Sequence, residues 1–295
     1  MVGQELKAMT SKEIKIKSVL SVYRERDPLY GFRYVAEPYI GCSNSCLYCQ
    51  ASPKDEADND VVQIRLNAAE VLSRQLAKRP REIVGVGRYC DPYMPLEKHY
   101  LITNNILQVL AVHGFPVHII TKSTLVQRDY QLFQEIDTKT MANVTFEFAA
   151  TTLELARRLE PNSASPIKRL KAIHNLTSKG ITCGIALNPV LPFLGDYQRG
   201  IKQLILAAKE SGASYVLATP LVMREKQAKK YFAFLEENHP GLLQPYRVLY
   251  GRSSNVPTWY WEPINEMIKS LAHEQGMVYE APSWFELQEK QLTLF

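Results

Sequence analysis

Long apolar stretches are missing from this chain of 295 residues, and so is a large excess of either charge. No apolar run approaches the roughly 18 residues that a membrane span requires, so no membrane partner is expected. Charged side chains are scattered through the first 27 residues, which argues against a signal peptide and predicts a cytoplasmic location. Lysine and arginine (35) exceed aspartate and glutamate (30) by a net charge of only +5. This balance is compatible with a nucleic-acid partner but does not indicate one.

Cysteine is also scarce, and its distribution is uneven. The chain has five cysteines, an odd number, and it is too long to need a disulfide scaffold. Three of the five fall within eight residues, at Cys42, Cys46 and Cys49. In a reducing compartment such clustering indicates ligands of a metal or a cluster and not disulfides. Hydrophobic residues make up 46% of the chain, which is ordinary for a globular protein of one large or two small domains.

Short apolar runs alternate with longer segments of helical periodicity, and this alternation predicts an α/β fold. One βα unit every 30–40 residues or so is typical of a parallel sheet. Six such units are too few for a complete eightfold barrel, so we expect a partial (βα)6 barrel. The predicted strands are 34–40, 82–87, 117–121, 143–148, 182–187 and 215–219. The predicted helices are 67–78, 102–113, 127–136, 166–179 and 197–211, the last two closed by Gly180 and Gly212.

The alternation also predicts the domain organisation. Residues 1–33 are polar and mixed, and we interpret them as an N-terminal arm. The barrel takes residues 34–225, and residues 226–295 form a helical, aromatic-rich extension that packs on it. The extension contains Trp259, Tyr260 and Trp261. These rings could stack on nucleic-acid bases, but a tail packed on a barrel needs them for its core in any case.

The three clustered cysteines have the spacing C-x3-C-x2-C and directly follow the first predicted strand. Zinc sites usually take four ligands in paired knuckles, and Cys90 and Cys183 are lone and distant. Cubane iron–sulfur clusters usually use four thiolates, so three on one tight loop leave one iron open to bind a ligand. A small zinc knuckle or a coincidental trio is the alternative. In parallel barrels, however, chemistry takes place on the loops that follow the strands.

This motif, with Tyr48 in its aromatic position, resembles the radical S-adenosylmethionine superfamily. The string from Glu37 to Ala51 is similar to the group related to spore photoproduct lyase, often called DNA-repair-photolyase-like. The resemblance extends over roughly residues 30–280. Further landmarks of the group stand at 91–97, 121–123, 159–161, 169–170, 180–181 and 188–192.

The resemblance implies a lyase-like radical enzyme. Cys42, Cys46 and Cys49 would hold a [4Fe-4S] cluster whose open iron chelates S-adenosylmethionine. One electron from the cluster, supplied by a flavodoxin- or ferredoxin-like reductant, would cleave the cofactor to a 5′-deoxyadenosyl radical that abstracts hydrogen from substrate. A nucleic-acid lesion is the substrate that the resemblance suggests. The protein itself has to hold, aim and shield the cofactor.

Four further residues are candidates for cofactor binding. Tyr48 would pack near the adenine. Lys122 ends the third predicted strand and would lie near the methionine carboxylate or the substrate. Glu147, where the related group often has a small hydroxylated residue, would contact the ribose or the amino group, or instead form a salt bridge with a lysine or arginine. Asn188 ends the fifth strand, where it would contact adenine or ribose.

Cys90 is the candidate catalytic residue. The resemblance places it in the loop after the second strand, where spore photoproduct lyase has a cysteine that returns hydrogen to a product radical. Plain core filling is the alternative. Asp91 and Glu97 either order this loop or bind substrate, and Glu160 and Arg169 are expected to pair at the barrel rim.

Two other functions remain open. One is a peptide- or protein-modifying maturase, although such enzymes often carry extra C-terminal cysteines and this chain has none after Cys183. The other is a non-catalytic iron–sulfur protein that binds nucleic acid. Cleavage of S-adenosylmethionine would distinguish either enzyme from the non-catalytic iron–sulfur protein. A basic surface continuous with the barrel mouth would favour lesion repair over peptide modification.

Overall fold

The computed structural model describes residues 10–49 and 61–284, so Gln50 and Ala51 of the cysteine motif lie outside it. The strands are β1 (Thr10–Ile14), β2 (Leu20–Val22), β3 (Tyr34–Ala36), β4 (Tyr39–Ile40), β5 (Val61–Arg65), β6 (Val84–Val86), β7 (Val117–Thr121), β8 (Ala142–Phe148), β9 (Thr182–Val190) and β10 (Tyr215–Pro220). The helices are α1 (Ala68–Leu76), α2 (Glu97–Tyr100), α3 (Ile102–His113), α4 (Tyr130–Lys139), α5 (Leu153–Leu159), α6 (Pro166–Thr177), α7 (Gln198–Glu210), α8 (Glu225–Asn238), α9 (Leu243–Tyr250) and α10 (Thr258–Glu274).

The main sheet has seven strands in the order β10-β9-β8-β7-β6-β3-β2. All neighbours pair in parallel except β2 and β3, which are antiparallel. Six parallel strands in chain order, with helices between them, confirm the predicted partial barrel. Every residue of β7 is buried, as expected for a parallel strand that is covered on both faces.

The first predicted strand, 34–40, is in fact two strands. It is broken at Glu37 and Pro38, because proline has no N–H to donate to a ladder and restricts the residue before it. After the break, β4 leaves the main sheet and pairs with β5 in a small sheet of order β1-β5-β4. The change of sheet carries the chain into the cysteine loop.

The predicted N-terminal arm contributes two strands. β1 pairs in parallel with β5, and β2 extends the main sheet at its edge. Two side-chain amides fasten the segment between them to α1: Asn67 bonds both backbone groups of Ile16 at 2.9 Å, and Gln75 accepts from the N–H groups of Val19 and Leu20 at 3.1 Å. The arm is therefore part of the packed structure over these residues.

The helices lie close to their predicted positions because their apolar stripes face the sheet. In α3, Ile106, Leu107 and Leu110 are fully buried, each contributing roughly 1.5–3 kcal/mol by leaving water. Gly114 ends this helix with φ +65°, a left-handed conformation that favours glycine. Gly180 closes α6 in the same way, as predicted.

The C-terminal helices pack on the barrel side. α10 lies against α7 and β10, and Ile268 and Leu271 are buried there. Trp261 is partly buried against the main core, whereas Trp259 is 70% exposed. The limits of the three predicted domains stay predictions. Within residues 10–49 and 61–284, no helix combines the length and the apolarity that crossing a membrane takes.

A neutral polar layer lies inside the barrel near the start of its strands. His118, Thr145, Tyr215 and the carbonyl of Tyr30 form this floor layer, and all four residues are buried. Gly184 makes room for it, because a Cβ there would lie 2.2 Å from the Tyr215 ring. The ring crosses β9 at this glycine, and its hydroxyl lies 2.7 Å from Thr145 Oγ1.

An apolar layer separates the floor from the far end of the strands. It contains Ile120, Ala186 and Leu217, all fully buried in one hydrophobic cluster. Strand alternation then brings Glu147 to the same side as Thr145, while Phe146 faces the helices. This is the facing that the sequence predicts for Glu147.

Candidate functional site

An open cavity lies at the carboxyl ends of the parallel strands. All eight residues predicted to hold the cluster, bind the cofactor or catalyse line this one cavity: Cys42, Cys46, Tyr48, Cys49, Cys90, Lys122, Glu147 and Asn188. They come from the loops or ends that follow five different strands. Their convergence agrees with the rule that parallel barrels place their sites on these loops.

The cysteine loop leaves β4 through a glycine that the geometry requires. Gly41 has φ +84°, and a Cβ there would lie 2.9 Å from the carbonyl oxygen of Val61. The loop is then fixed to its surroundings by backbone bonds. Leu47 N–H donates to the Leu159 carbonyl at 2.9 Å, and Cys49 N–H donates to the Cys46 carbonyl at 3.1 Å. These contacts hold all three thiols at the cavity wall.

The donor set suits an iron–sulfur cluster. Cys42, Cys46 and Cys49 are not joined in disulfides. Over the described part of the chain, no three His, Cys, Asp or Glu side chains converge closely enough for one ion. Three thiols spread around one cavity suit a larger object such as a cubane cluster. Burial raises the pKa of Cys42 and Cys46, so a bound cationic centre would have to stabilise their thiolates.

Behind the loop, Tyr48 is bonded into a buried ionic chain. Its hydroxyl donates to Glu160, and Glu160 forms an ion pair with Arg169, as expected for these two residues. Arg169 also donates to the carbonyls of Ala164 at 2.7 Å and Glu147 at 2.6 Å. The chain joins the cysteine loop to the end of β8.

Four polar side chains lie at the carboxyl ends of β7 to β10, on the cavity side, and we call them the mouth layer. They are Lys122, Glu147, Asn188 and Thr219. Lys122 Nζ pairs with Glu147, and Asn188 Nδ2 donates to the other carboxylate oxygen at 2.5 Å. Thr219 donates to the Asn188 carbonyl oxygen. The salt bridge that the sequence left open for Glu147 is therefore present.

Electrostatics favour the charged forms of this pair. Burial lowers the pKa of Lys122, but Glu147, Cys46 and Glu160 together raise it by more, so it ends above its ordinary value. Burial raises the pKa of Glu147, but Lys122 and the amide of Asn188 bring it below its ordinary value. Lys122 also lies 5.8 Å from the centre of the Tyr48 ring, so a cation stands beside the cysteine loop.

Asp91 orders the loop that follows β6. Its carboxylate accepts bonds from Thr121 Oγ1 at 2.7 Å, Lys122 N–H at 2.8 Å, Tyr93 N–H at 2.9 Å and Asn44 Nδ2 at 3.0 Å. These four bonds occupy the acceptor positions of the carboxylate. Asp91 lines the cavity, but its carboxylate is already engaged in holding the loop.

Glu97 lies away from the cavity, where it bonds Tyr39 and caps the start of α3 through Thr103 N–H at 3.0 Å. Of the two roles left open for Asp91 and Glu97, the contacts support loop ordering.

Cys90 lines the cavity but is bonded behind it. Its thiol lies 3.0 Å from Glu37 Oε2 and 3.2 Å from the Tyr39 carbonyl. Burial and the neighbouring Glu37 carboxylate raise the pKa of Cys90, so the thiol keeps its proton. Glu37 also accepts from the N–H groups of Arg88 at 2.7 Å and Tyr89 at 3.0 Å.

Sequence reasoning missed several residues of this site. It used Glu37 only as part of a motif, and it did not consider Arg88, Tyr89, Asn44 or Arg224, which also line the cavity or support it. A signal was available for Glu37, because a carboxylate directly after a buried strand needs bonding partners. No comparable pattern marks the others, since their contacts depend on closure of the barrel.

Comparison with known sequences shows which family the chain belongs to. No protein-family model matches it. Uncharacterized protein Rv2578c of Mycobacterium tuberculosis is 33% identical over 274 residues, which cover 89% of this chain and 80% of that protein. At this identity and coverage the two chains are members of one family.

Solved structures identify the fold. A spore photoproduct lyase variant matches with a TM-score of 0.72 and 13% identity, covering 95% of this chain and 85% of that one. Streptococcus suis SuiB, solved with S-adenosylmethionine, matches with a TM-score of 0.55 and 11% identity, covering 84% and 50%. The chain therefore belongs to one family with the mycobacterial protein, and its fold is that of the radical S-adenosylmethionine enzymes related to spore photoproduct lyase.

Proposed function

We propose that this protein is a radical S-adenosylmethionine enzyme of the lyase type, acting on a nucleic-acid lesion. The observation that carries the proposal is the convergence of three cysteine thiols and four polar or aromatic candidates on one strand-end cavity. Spore photoproduct lyase, whose fold the chain shares, has been solved with bound AdoMet and dinucleoside spore photoproduct. SuiB has been solved with S-adenosylmethionine.

Cys42, Cys46 and Cys49 would hold a [4Fe-4S] cluster, leaving one iron for the cofactor. When bound and reduced by a flavodoxin- or ferredoxin-like protein, the two groups together supply a 5′-deoxyadenosyl radical that takes hydrogen from substrate. Tyr48 covers the cluster side of the cavity with its buried ring. The chain's own task is to hold the cofactor and exclude water.

The mouth layer offers complementary groups for the cofactor's polar ends. The ammonium of Lys122 suits the methionine carboxylate, and the carboxylate of Glu147 suits the amino group or the ribose hydroxyls. Asn188, bonded to both Glu147 and Thr219, is oriented for adenine or ribose. Because these side chains already bond one another, they are held in place before the cofactor binds.

A basic edge of the cavity supports the nucleic-acid substrate. Arg224 lines the cavity, and α8, which begins directly after it, carries exposed Lys229 and Lys230. Positive charge at and near an active site favours a polyanionic substrate over a neutral peptide.

Cys90 is proposed to return hydrogen to the product radical. Its wall position in the cavity and its protonated state support a thiol donor. The role predicts that Cys90→Ala diverts the product radical of the true substrate to side products.

The decisive experiment is anaerobic reconstitution of the full chain followed by dithionite reduction. We expect about four irons per chain by analogy with cubane clusters. Added S-adenosylmethionine should perturb the electron paramagnetic resonance spectrum, and methionine and 5′-deoxyadenosine should form. Cys42→Ala, Cys46→Ala and Cys49→Ala should each abolish the spectrum and the cleavage.

Cys183→Ala is the matched control, because Cys183 is a buried thiol on β9 outside the cavity lining. It should bind iron as the native chain does. A Cys46→Ala protein with an intact, cofactor-responsive cluster would refute the assignment. So would a native protein that binds iron but never cleaves the cofactor.

A further inference from the structure

The cavity contains one guanidinium that none of the roles above uses. Arg88 follows β6 and lines the same cavity as the cysteine loop. Its side chain is 36% exposed, so it is partly open to a ligand. An arginine in a cavity presents a planar fork of donors suited to carboxylate or phosphate.

The position of Arg88 is fixed from both its backbone and its side chain. Its N–H donates to Glu37 at 2.7 Å. Its guanidinium carbon lies 5.9 Å from the centre of the Tyr30 ring and 5.8 Å from that of the Tyr89 ring. The hydroxyl of Tyr89 lies 2.5 Å from that of Tyr23, which holds the ring in place. Arg88 is therefore pre-organised, and little rotamer freedom would be lost on binding.

The donors of this guanidinium remain largely available. Among the residues that the structure describes, its carboxylate contact is with Asp27, whose Oδ2 lies 3.5 Å from Nε. The other oxygen, Oδ1, already accepts from the N–H groups of Leu29 and Tyr30 at 2.9 Å. Nε is buried on the Asp27 side and makes no hydrogen bond among the described residues. The exposed part of the side chain is what a ligand can reach, and its terminal donors suit an acceptor such as phosphate.

A second cation belongs to the same cavity. Arg224 precedes α8 and is exposed, and no ion pair holds it within the part of the chain that the structure describes. Lys122, by contrast, is paired with Glu147 and lies over Tyr48, beside the cysteine loop. Lys122 is therefore the cation that suits the carboxylate of the cofactor. Arg88 and Arg224 are two further cations for which the cofactor has no second carboxylate.

We propose that Arg88, with Arg224, forms an anion subsite that binds a backbone phosphate of the substrate strand. The subsite rests on the proposed function and deepens it. Arg88 supplies a bidentate, fixed contact, and Arg224 adds a more mobile charge. The exposed Tyr89 ring beside Arg88 gives an adjacent base a surface to stack on.

The test uses reconstituted full-length protein and two fluorescent probes at fixed low salt. One probe is a short oligothymidylate, and the other has the same bases joined by neutral methylphosphonate linkages. Native protein should bind the phosphodiester probe at least tenfold more tightly, since phosphate contacts dominate such binding. Arg88→Gln should weaken binding of the phosphodiester probe about tenfold and leave the neutral probe unchanged.

Three further variants sharpen the result. Arg88→Lys should recover part of the affinity, because it restores the charge but not the fork. Arg224→Gln should cause a smaller loss. Arg157→Gln is the matched control, since Arg157 is exposed on α5 outside the cavity lining, and its affinity should match that of the native protein.

Two results would overturn the subsite: equal weakening of both probes by Arg88→Gln, or a loss of S-adenosylmethionine affinity in that variant with phosphodiester affinity unchanged. Cofactor cleavage by native protein is measured in parallel. If it occurs and the phosphodiester preference is absent, the subsite fails alone. If it does not occur, the proposed function fails independently of the probe measurements.

Discussion

The mouth layer and the floor layer occupy inward positions on the same barrel, on either side of the apolar layer, yet opposite kinds of interaction hold them. In the mouth layer, Lys122 and Glu147 are charged and paired at the edge of the cavity. In the floor layer, neutral groups form a closed chain. His118 Nδ1 donates to the Tyr30 carbonyl, and its Nε2 accepts from Thr145 at 2.6 Å.

The difference follows from what each layer can use. In the floor layer each donor has an acceptor. Protonation of His118 Nε2 would remove the acceptor for the Thr145 hydroxyl, and no carboxylate of this layer would pair with the new charge. The mouth layer keeps charges that a ligand can share. A buried ion pair adds little net stability, which agrees with the cofactor-binding role proposed for these two residues.

Removing one partner of the mouth layer should have the largest effect. Lys122→Met leaves Glu147 buried without its cation, and we expect a loss of about 3–5 kcal/mol in the free energy of unfolding. Adding Glu147→Gln removes the stranded charge and should restore most of this loss. Urea unfolding measures both, with exposed Lys98→Met as the matched control. A loss below about 1 kcal/mol in Lys122→Met would contradict the buried pair.

The floor layer should make stability depend on pH. Burial lowers the pKa of His118 from 6.5 to about 4. Below pH 6.5 the unfolded chain therefore binds a proton that the folded chain does not, and stability falls as pH decreases toward 4. The total loss is up to about 3 kcal/mol.

Urea unfolding at pH 7, 5.5 and 4.5 measures this dependence, with His118→Gln as reference because it cannot titrate. The slope of the native protein should be the steeper one over this range. Identical slopes would show that His118 does not stay neutral in the folded chain.

Interrupting the neutral chain should have the smallest effect. Thr145→Val removes a hydroxyl that donates to His118 and accepts from Tyr215. No charge is stranded, so we expect a loss of about 1–2 kcal/mol. Thr138→Val, at an exposed position on α4, is the control. If the two variants unfold alike, the floor layer does not depend on its hydroxyl.

The fold could be predicted because its signals are local. All six barrel strands and the cysteine loop follow from apolar runs and spacing, although the first strand was predicted too long. β5 was missed, since Val61–Arg65 is short and carries polar residues at alternate positions. The strands of the arm were missed because β1 is almost fully exposed and depends on pairing with β5.

The site was predictable to the same degree. Strand ends and alternation place Lys122, Glu147 and Asn188 at one mouth, and that prediction agrees with the cavity lining. The bonds of Glu37 to Arg88 and Cys90 join positions more than 50 residues apart. They depend on the pairing of β3 with β6, which no local pattern reveals.

Glu37 lies just before the cysteine loop, but its carboxylate is bonded to the loop after β6. Opening of the loop after β6 would break these three hydrogen bonds and the one that Asn44 of the cysteine loop donates to Asp91 at 3.0 Å, so the two loops are coupled. Protease cleavage of either loop should then respond to loading of the other. If a ligand at Arg88 strengthens retention of a group at the cysteines, reciprocity requires that this group strengthen binding at Arg88 by the same free energy.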